Sequence, residues 1–331
     1  MNGAAALTPR AKSSWPLLLV RWAAALLILA VLVHFLPIAQ LRLALSAIPA
    51  KLFATLLATY LLALCVGILK WHLVTNAADS HLPLSVSVQC YAGGLFGALF
   101  LPSILGGDVV RLGVGVSHSP RPVAVVTGNF VDRLLDAFAQ FTLLLLGLVF
   151  LPSSLPGVLH GTARRLLLFA TILIVVALIV IAALRRLLPG RSFRFRRRLA
   201  QLRLAQKAIS RRPYRIFFGF LLGVSVQSTF LLVTVLLGVS CGLHLPFHVW
   251  LFAWPLSKFA AMLPLTQGGI GVRETALLAL LAPFGAPAAQ VVATGIASEG
   301  IIVAGGLLSG LVAFLVRRIE SRRKLLAAAR G

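Results

Sequence analysis

The sequence predicts an all-α polytopic membrane protein, and two observations carry this prediction. Sixty per cent of the 331 residues are hydrophobic and only 11% are charged, whereas about a quarter of the residues of a soluble domain are charged. The apolar residues also form long blocks, because the stretches 52–69, 166–184 and 216–243 contain no charged residue. A bilayer core of about 30 Å needs about 20 apolar residues in a helix, so each block is close to or beyond the length of a span.

The chain contains both continuous apolar blocks and apolar regions that are interrupted near the middle. Two regions, 84–117 and 246–284, are each broken near the middle by a proline and a pair of glycines. Non-helical backbone at membrane depth is tolerated only where protein or water surrounds it, so we predict that each region is a re-entrant helical hairpin. The remaining blocks predict about six full spans, near 17–36, 52–74, 123–150, 165–187, 214–243 and 288–316.

The charged residues predict the orientation of these spans. The chain has 31 Lys and Arg against seven Asp and Glu, a net charge of +24. Twelve of the basic residues lie in the segment 185–215 and six follow Val316, and basic segments between spans stay in the cytoplasm. We therefore expect a bacterial cytoplasmic-membrane protein with both termini in the cytoplasm. We expect the basic loop 185–215 to lie on anionic lipid headgroups, and not to bind nucleic acid.

The two broken regions resemble each other. Residues 101–111 and 263–273 share six of eleven positions, including Leu-Pro, Gly-Gly and Val-Arg. Further along, Thr127-Gly opens a segment that ends in Asp132, and Thr294-Gly opens one that ends in Glu299. Combined with the orientation above, this predicts an inverted repeat of about 52–150 and 214–316, within one membrane domain that covers 1–331. Inverted repeats with discontinuous helices are typical of transporters.

Five of the seven acidic residues lie in or beside these repeats, although a charge at the bilayer centre costs about 2.5–3.5 kcal/mol. Four of these acids, Asp108, Asp132, Asp136 and Glu274, have an arginine within three residues in the sequence. The glycines before Arg273 favour a helix start whose free N–H groups bind a phosphate. Alternatively, the charge pairs serve only to set helix register. The candidate substrate-binding residues are Gly106, Gly107, Asp108, Arg111, Asp132, Arg133, Asp136, Gly268, Gly269, Gly271, Arg273, Glu274 and Glu299.

Several chemistries lack a sequence signature. There is no GxxxxGK[ST] phosphate loop, no HExxH motif, and no CxxC spacing among the three cysteines, so we expect no ATP hydrolysis, no metal and no cofactor. The buried charges favour translocation of a lipid with a polar, anionic headgroup, and we expect that the chain is not an enzyme. The alternatives are an intramembrane lipid-modifying enzyme and a scaffold for a partner lipid synthase.

The charged and glycine positions also carry a family resemblance. The pattern of Leu-Pro, Gly-Gly-Asp108 and Arg111, then Asp132-Arg133, then Gly-Gly-Ile-Gly-Val-Arg273-Glu274 resembles the lysylphosphatidylglycerol synthase transmembrane-region family, also called flippase-like. The resemblance implies a membrane domain that moves a lipid between leaflets. The sequence departs from the two-domain synthases of this family, because it stops at Gly331, shortly after the last predicted span. We therefore expect a stand-alone member without the aminoacyl-transfer domain, which does not synthesise a lysyl-lipid and whose substrate is another membrane lipid.

Overall fold

The computed structural model describes residues 38–100, 106–150, 193–262, 266 and 269–328, and over this part of the chain the regular structure is helical throughout. The predicted spans near 17–36 and 165–187 lie outside the described residues. In chain order the helices are α1 (Ile38–Ser46), α2 (Ala50–Ala77), α3 (Leu84–Phe100), α4 (Gly106–His118), α5 (Pro122–Val149), α6 (Phe193–Ser210), α7 (Pro213–Ser240), α8 (Phe247–Ala261), α9 (Val272–Leu281), the 3₁₀ turn Ala282–Phe284 and α10 (Ala288–Ala328).

Three of the long helices match predicted spans. Helices α2, α5 and α7 have 28 residues each, which corresponds to about 42 Å at 1.5 Å per residue. Both α5 and α7 begin with a proline, whose fixed φ and missing N–H suit the first helical position. Helices α2, α7 and α10 are apolar enough to cross a membrane, which confirms the apolar helices predicted near 52–74, 214–243 and 288–316. Helix α5 has the same length but carries three charged residues near its middle, Asp132, Arg133 and Asp136.

Each predicted hairpin region contains two shorter helices that pack against each other. Helices α3 and α4 cross at Gly94 and Gly107 with their backbones in close contact. A Cβ placed on Gly107 would lie only 2.5 Å from the carbonyl oxygen of Gly94, so this crossing leaves no room for a side chain. Helices α8 and α9 are joined through Gly269 and Gly271, whose φ angles are 79° and 82°. Residues other than glycine rarely adopt such backbone angles, so the turn between α8 and α9 needs glycine at both positions.

The connections that flank the first helix pair meet at one end of the bundle. The carbonyl of Ser80, before α3, accepts a hydrogen bond of 2.6 Å from the hydroxyl of Ser119, after α4. At the same place Asp79 forms ion pairs with Arg121, the residue before α5, and with Arg212, the residue before α7. We call this the Asp79 end of the bundle.

The second helix pair begins and ends at the opposite end of α7. Helix α7 ends at Ser240, and a Cβ placed on Gly242 would lie 3.1 Å from the amide of Gln290, at the start of α10. The second pair, which runs from Phe247 to Phe284, lies between these two residues in the chain. We call this the Gly242 end. The two helix pairs therefore start and finish at opposite ends of α7, a relation that two oppositely oriented hairpins require.

The contacts between the two halves of the chain are reciprocal. We call α2–α5 the first half and α7–α10, with its N-cap Arg212, the second half. Helix α2 packs against α7, while α3 of the first half packs against α10 and α8 of the second half packs against α5. Each half therefore places the first helix of its pair against the last helix of the other half, as expected for two similar units related by a two-fold axis.

The basic segment is helical over its described part. Helix α6 packs against α5 and α7 near the Asp79 end, where the small side chains of Ala78, Ala124 and Ala205 form a buried cluster. Arg203 and Lys207 on this helix are exposed, and so is Leu204. The region predicted as a loop is thus a surface helix with apolar and basic side chains.

Candidate functional site

A first charge network lies where α2 meets α5. The ammonium of Lys70, on α2, lies 2.9 Å from a carboxylate oxygen of Asp132 and 2.5 Å from one of Asp136. The side chains of Lys70 and Asp132 are each 1% exposed. Removing such charges from water costs several kcal/mol for each ion, so the close opposite charges are required for this region to stay folded.

The same network extends to α4 through two arginines. Arg133 donates to Asp108 at 2.6 Å and approaches Asp136 at 3.5 Å. Arg111 lies farther from its carboxylates, 3.7 Å from Asp108 and 3.8 Å from Asp132. Three basic and three acidic side chains therefore meet, so that the formal charge of the network is zero.

Arg111 is the least well paired member of this network. It is 3% exposed, and its Nε and Nη1 atoms have no hydrogen-bond partner among the described residues. The guanidinium carbon lies 4.1 Å from the ring centre of Tyr91 on α3, a distance at which an aromatic face attracts a cation. Arg111 is therefore enclosed by protein, with the ring of Tyr91 on one side and the carboxylates of Asp108 and Asp132 on the other.

A second, smaller network lies in the second half. Arg273, at the start of α9, forms ion pairs with Glu274 at 3.1 Å and with Glu299 of α10. Glu274 is 2% exposed, and its other carboxylate oxygen accepts the N–H of Gly271 at 2.7 Å. The first free N–H of the predicted phosphate cradle is therefore occupied by a side chain of the same helix.

A cavity of about 110 Å³ adjoins this second network, at the boundary between the two halves. Tyr60 of α2 closes it on the side of the first half, and four helices of the second half form the remaining walls. Its lining residues are Tyr60, Phe230, Val233, Thr234, Trp254, Ser257, Lys258, Arg273, Glu274, Leu277, Gly295, Ser298, Ile301 and Ile302.

Lys258 is the cation of this cavity that no carboxylate neutralises directly. Its ammonium donates to the amide oxygen of Gln227 at 2.9 Å and lies 4.5 Å and 5.4 Å from the ring centres of Trp254 and Phe230. It forms no ion pair with any acidic side chain that the structure describes. Ser298, nine-tenths buried in the same wall, has a hydroxyl without a hydrogen-bond partner there.

Most of the chain matches one known protein family. The family model described as the lysylphosphatidylglycerol synthase TM region matches residues 18–310. The chain belongs to this family. No curated protein and no solved structure matches the chain. Membership of the lysylphosphatidylglycerol synthase TM region family agrees with the long apolar helices, and indicates a membrane protein related to lipid handling.

The structure of this family member separates the sequence-predicted residues into two groups. The first network contains Asp108, Arg111, Asp132, Arg133 and Asp136, with Gly106 and Gly107 buried at the start of α4. The second contains Arg273, Glu274 and Glu299, with Gly269 and Gly271 in the turn before α9. Gly268 lies outside the described residues.

Three residues at these sites were not among the predicted site residues, namely Lys70 in the first network and, at the cavity, Lys258 with its partner Gln227. Lys70 had a usable signal, because a lysine inside an otherwise apolar span needs a polar partner. Lys258 had the same signal, because it lies in an apolar segment shortly before the second glycine break. Gln227 had none, because an amide within an apolar block carries no charge and does not interrupt the helix.

Proposed function

We propose that the chain moves a phospholipid or another polar lipid across the bacterial cytoplasmic membrane, with the headgroup passing through the cavity beside Lys258. The observation that carries the proposal is the ammonium of Lys258, which lines the cavity and whose partners among the described residues are an amide and two aromatic faces. A headgroup with a negative charge provides the missing counter-charge. The hydroxyl of Ser298 adds an unused hydrogen-bonding group in the same wall.

The role of the arginines differs from the one expected from the sequence. Arg133 and Arg273 have carboxylate partners at hydrogen-bond distance, and Arg111 is enclosed between α3, α4 and α5. We therefore assign the binding of the headgroup to Lys258, and assign to the arginines the positioning of α4, α5 and α9. The acyl chains remain in the lipid while the headgroup moves.

The arrangement of the helix pairs supports movement between two states. In this proposal the two pairs are re-entrant hairpins of an inverted repeat, with the Asp79 end in the cytoplasm together with both termini. Each pair packs against the last helix of the other half, so a tilt of one half relative to the other moves both pairs at once. Such a motion exposes one central site to each side in turn.

The surface helix α6 suits the cytoplasmic leaflet. Its exposed Arg203 and Lys207 flank the exposed Leu204, and each basic residue near an anionic surface contributes about 1 kcal/mol to binding. We propose that α6 lies on anionic lipid headgroups, and that neither nucleic acid nor a cofactor is involved.

An enzymatic function receives less support. The hydroxyl of Ser87 lies 2.8 Å from the Nδ1 atom of His72, a contact that the sequence did not indicate and that some hydrolases use. However, Ser87 is fully buried and donates to the carbonyl of Pro83 at 3.2 Å, so a substrate does not reach it. We propose that lipid leaves the protein chemically unchanged, with a lipid-synthesising enzyme as a separate partner.

The proposal is tested with purified protein in liposomes that contain a fluorescent phosphatidylglycerol. Dithionite bleaches the probe in the outer leaflet, so the slow second phase measures translocation. We expect Lys258→Gln to slow this phase at least tenfold, and Lys51→Gln, exposed at the start of α2, to leave it unchanged. Equal rates for protein-containing and empty liposomes, or altered lipid masses after incubation, would refute the proposal.

A further inference from the structure

The charge networks of the two halves are separate from each other. Every ion pair of the first network joins residues of the first half, and every ion pair of the second network joins residues of the second half. Among the ion pairs that join two described residues, Asp79–Arg212 alone crosses from one half to the other, at 3.0 Å. This contact lies at the Asp79 end, away from the cavity.

The connection that carries Asp79 has a well-defined structure. The side chain of Asn76 accepts the N–H of Leu82 at 2.8 Å and the hydroxyl of Ser80 at 2.7 Å. Its amide also donates to the carbonyl of Leu82 at 2.9 Å. Asp79 itself has a φ of 70°, a left-handed conformation in which aspartate is one of the few tolerated side chains. The carboxylate is therefore held in a set position.

Two arginines approach this carboxylate from different sides. Arg121 of the first half lies 2.7 Å from one oxygen, and Arg212 of the second half lies 3.0 Å from the other. Arg212 also donates to the carbonyl of Asn76 at 3.3 Å. Burial raises the pKa of Asp79, but the two guanidinium groups outweigh this effect and hold the pKa below its usual range. The carboxylate is therefore charged at neutral pH.

We infer that Asp79 and Arg212 form an ionic latch that holds the two halves together at the Asp79 end and separates when this end opens. A second contact between the halves lies near it, because Gln89 of α3 donates to Glu320 of α10 at 2.6 Å. At the Gly242 end no ion pair joins the halves among the described residues. The latch therefore acts at one end of the bundle, the end at which the described part of the chain has its only ion pair between the halves.

Arg121 provides a matched control, because it binds the same carboxylate but belongs to the same half as Asp79. If the latch holds the halves together, removal of Arg212 separates them and removal of Arg121 does not. If the halves separate only because the segment around Asp79 becomes looser, removal of either arginine has the same effect. Spin labels on cysteines at His118 and Ser321, both exposed near the Asp79 end, report the separation of the halves. The three native cysteines are replaced, and the full chain is measured in lipid nanodiscs by double electron–electron resonance.

We expect Asp79→Asn and Arg212→Gln each to add a population with a longer label-to-label distance. We expect Arg121→Gln and Arg212→Lys to retain the distribution of the starting protein. Unchanged distributions in both Asp79→Asn and Arg212→Gln would overturn the latch, and so would an equal change in Arg121→Gln. If Asp79→Asn does not fold, the latch is tested by the two Arg212 variants alone. A longer-distance population in Arg212→Gln but not in Arg212→Lys supports the latch, and equal distributions in the two variants overturn it. The distances are independent of lipid transport, so this result and a failure of the proposed function are distinguishable.

Discussion

The ammonium of Lys70 lies 2.9 Å from the carboxylate of Asp132, and both side chains are almost completely excluded from solvent. This pair joins α2 to α5, the two long helices of the first half. Because Asp136 binds the same ammonium, one lysine compensates two carboxylates. The remaining basic members, Arg111 and Arg133, complete the neutral charge of the network. Loss of any one member leaves a buried charge without compensation.

Lys70→Met should therefore destabilise the protein strongly. Breaking a buried ion pair by removing one partner costs about 3–5 kcal/mol, and here the loss leaves two carboxylates together. The measurement is the thermal unfolding midpoint of detergent-purified protein. Lys207→Met, on the exposed face of α6, should leave the midpoint unchanged. The double variant Lys70→Met/Asp132→Asn should recover part of the loss, and an additive result would show that the pair is not coupled.

Asp132→Asn and Glu299→Gln should reduce translocation severely. Each substitution keeps the shape of the side chain but removes the negative charge that holds Lys70 or Arg273. The liposome assay gives the rates, and the yield of folded, membrane-inserted protein gives the reference. Normal rates in both variants would show that the acids are not needed for transport. Loss of folding in both would support a purely structural role in helix register.

The turn before α9 should not tolerate side chains at its glycines. Gly269 and Gly271 have positive φ angles, and a Cβ on Gly269 would lie 2.7 Å from that of Ala261. Gly269→Val and Gly271→Leu should each abolish translocation while the protein still inserts in the membrane. Gly113→Ala is the matched control, because a Cβ there meets nothing within 4 Å and alanine suits a helix. Unchanged rates in both turn variants would contradict a role for this backbone.

Single cysteines should show that the two helix pairs open to opposite sides of the membrane. Gly107 is unsuitable for labelling because a Cβ there meets the backbone of Gly94. Gly113 on α4 and Ala282 after α9 are exposed, and they are therefore suitable labelling sites. In a background without native cysteines, an impermeant maleimide should reach Gly113→Cys from the cytoplasm and Ala282→Cys from outside. Labelling of both from one side would refute the inverted repeat.

The sequence by itself determined the class of the protein, the positions of three apolar helices near 52–74, 214–243 and 288–316, and the glycine turn before α9. These are local properties, because a bilayer requires a contiguous apolar run in which the backbone satisfies its own hydrogen bonds. The pairs three residues apart were also visible, and both Asp108–Arg111 and Arg133–Asp136 form, at 3.7 Å and 3.5 Å. Intramembrane acids attract attention in a sequence for the same reason, since each carries a cost that only a partner removes.

Only the tertiary structure decided which charges meet. The shortest contacts of the first network join Arg133 to Asp108 and Lys70 to Asp136, across 25 and 66 residues of chain. It also decided that Arg111 is enclosed, and that Lys258 faces the cavity. Ion pairs act over a few ångströms, and distances of that size between separate helices follow from how the helices cross. Helix crossing depends on the packing of all their side chains together, which no short segment of the sequence contains.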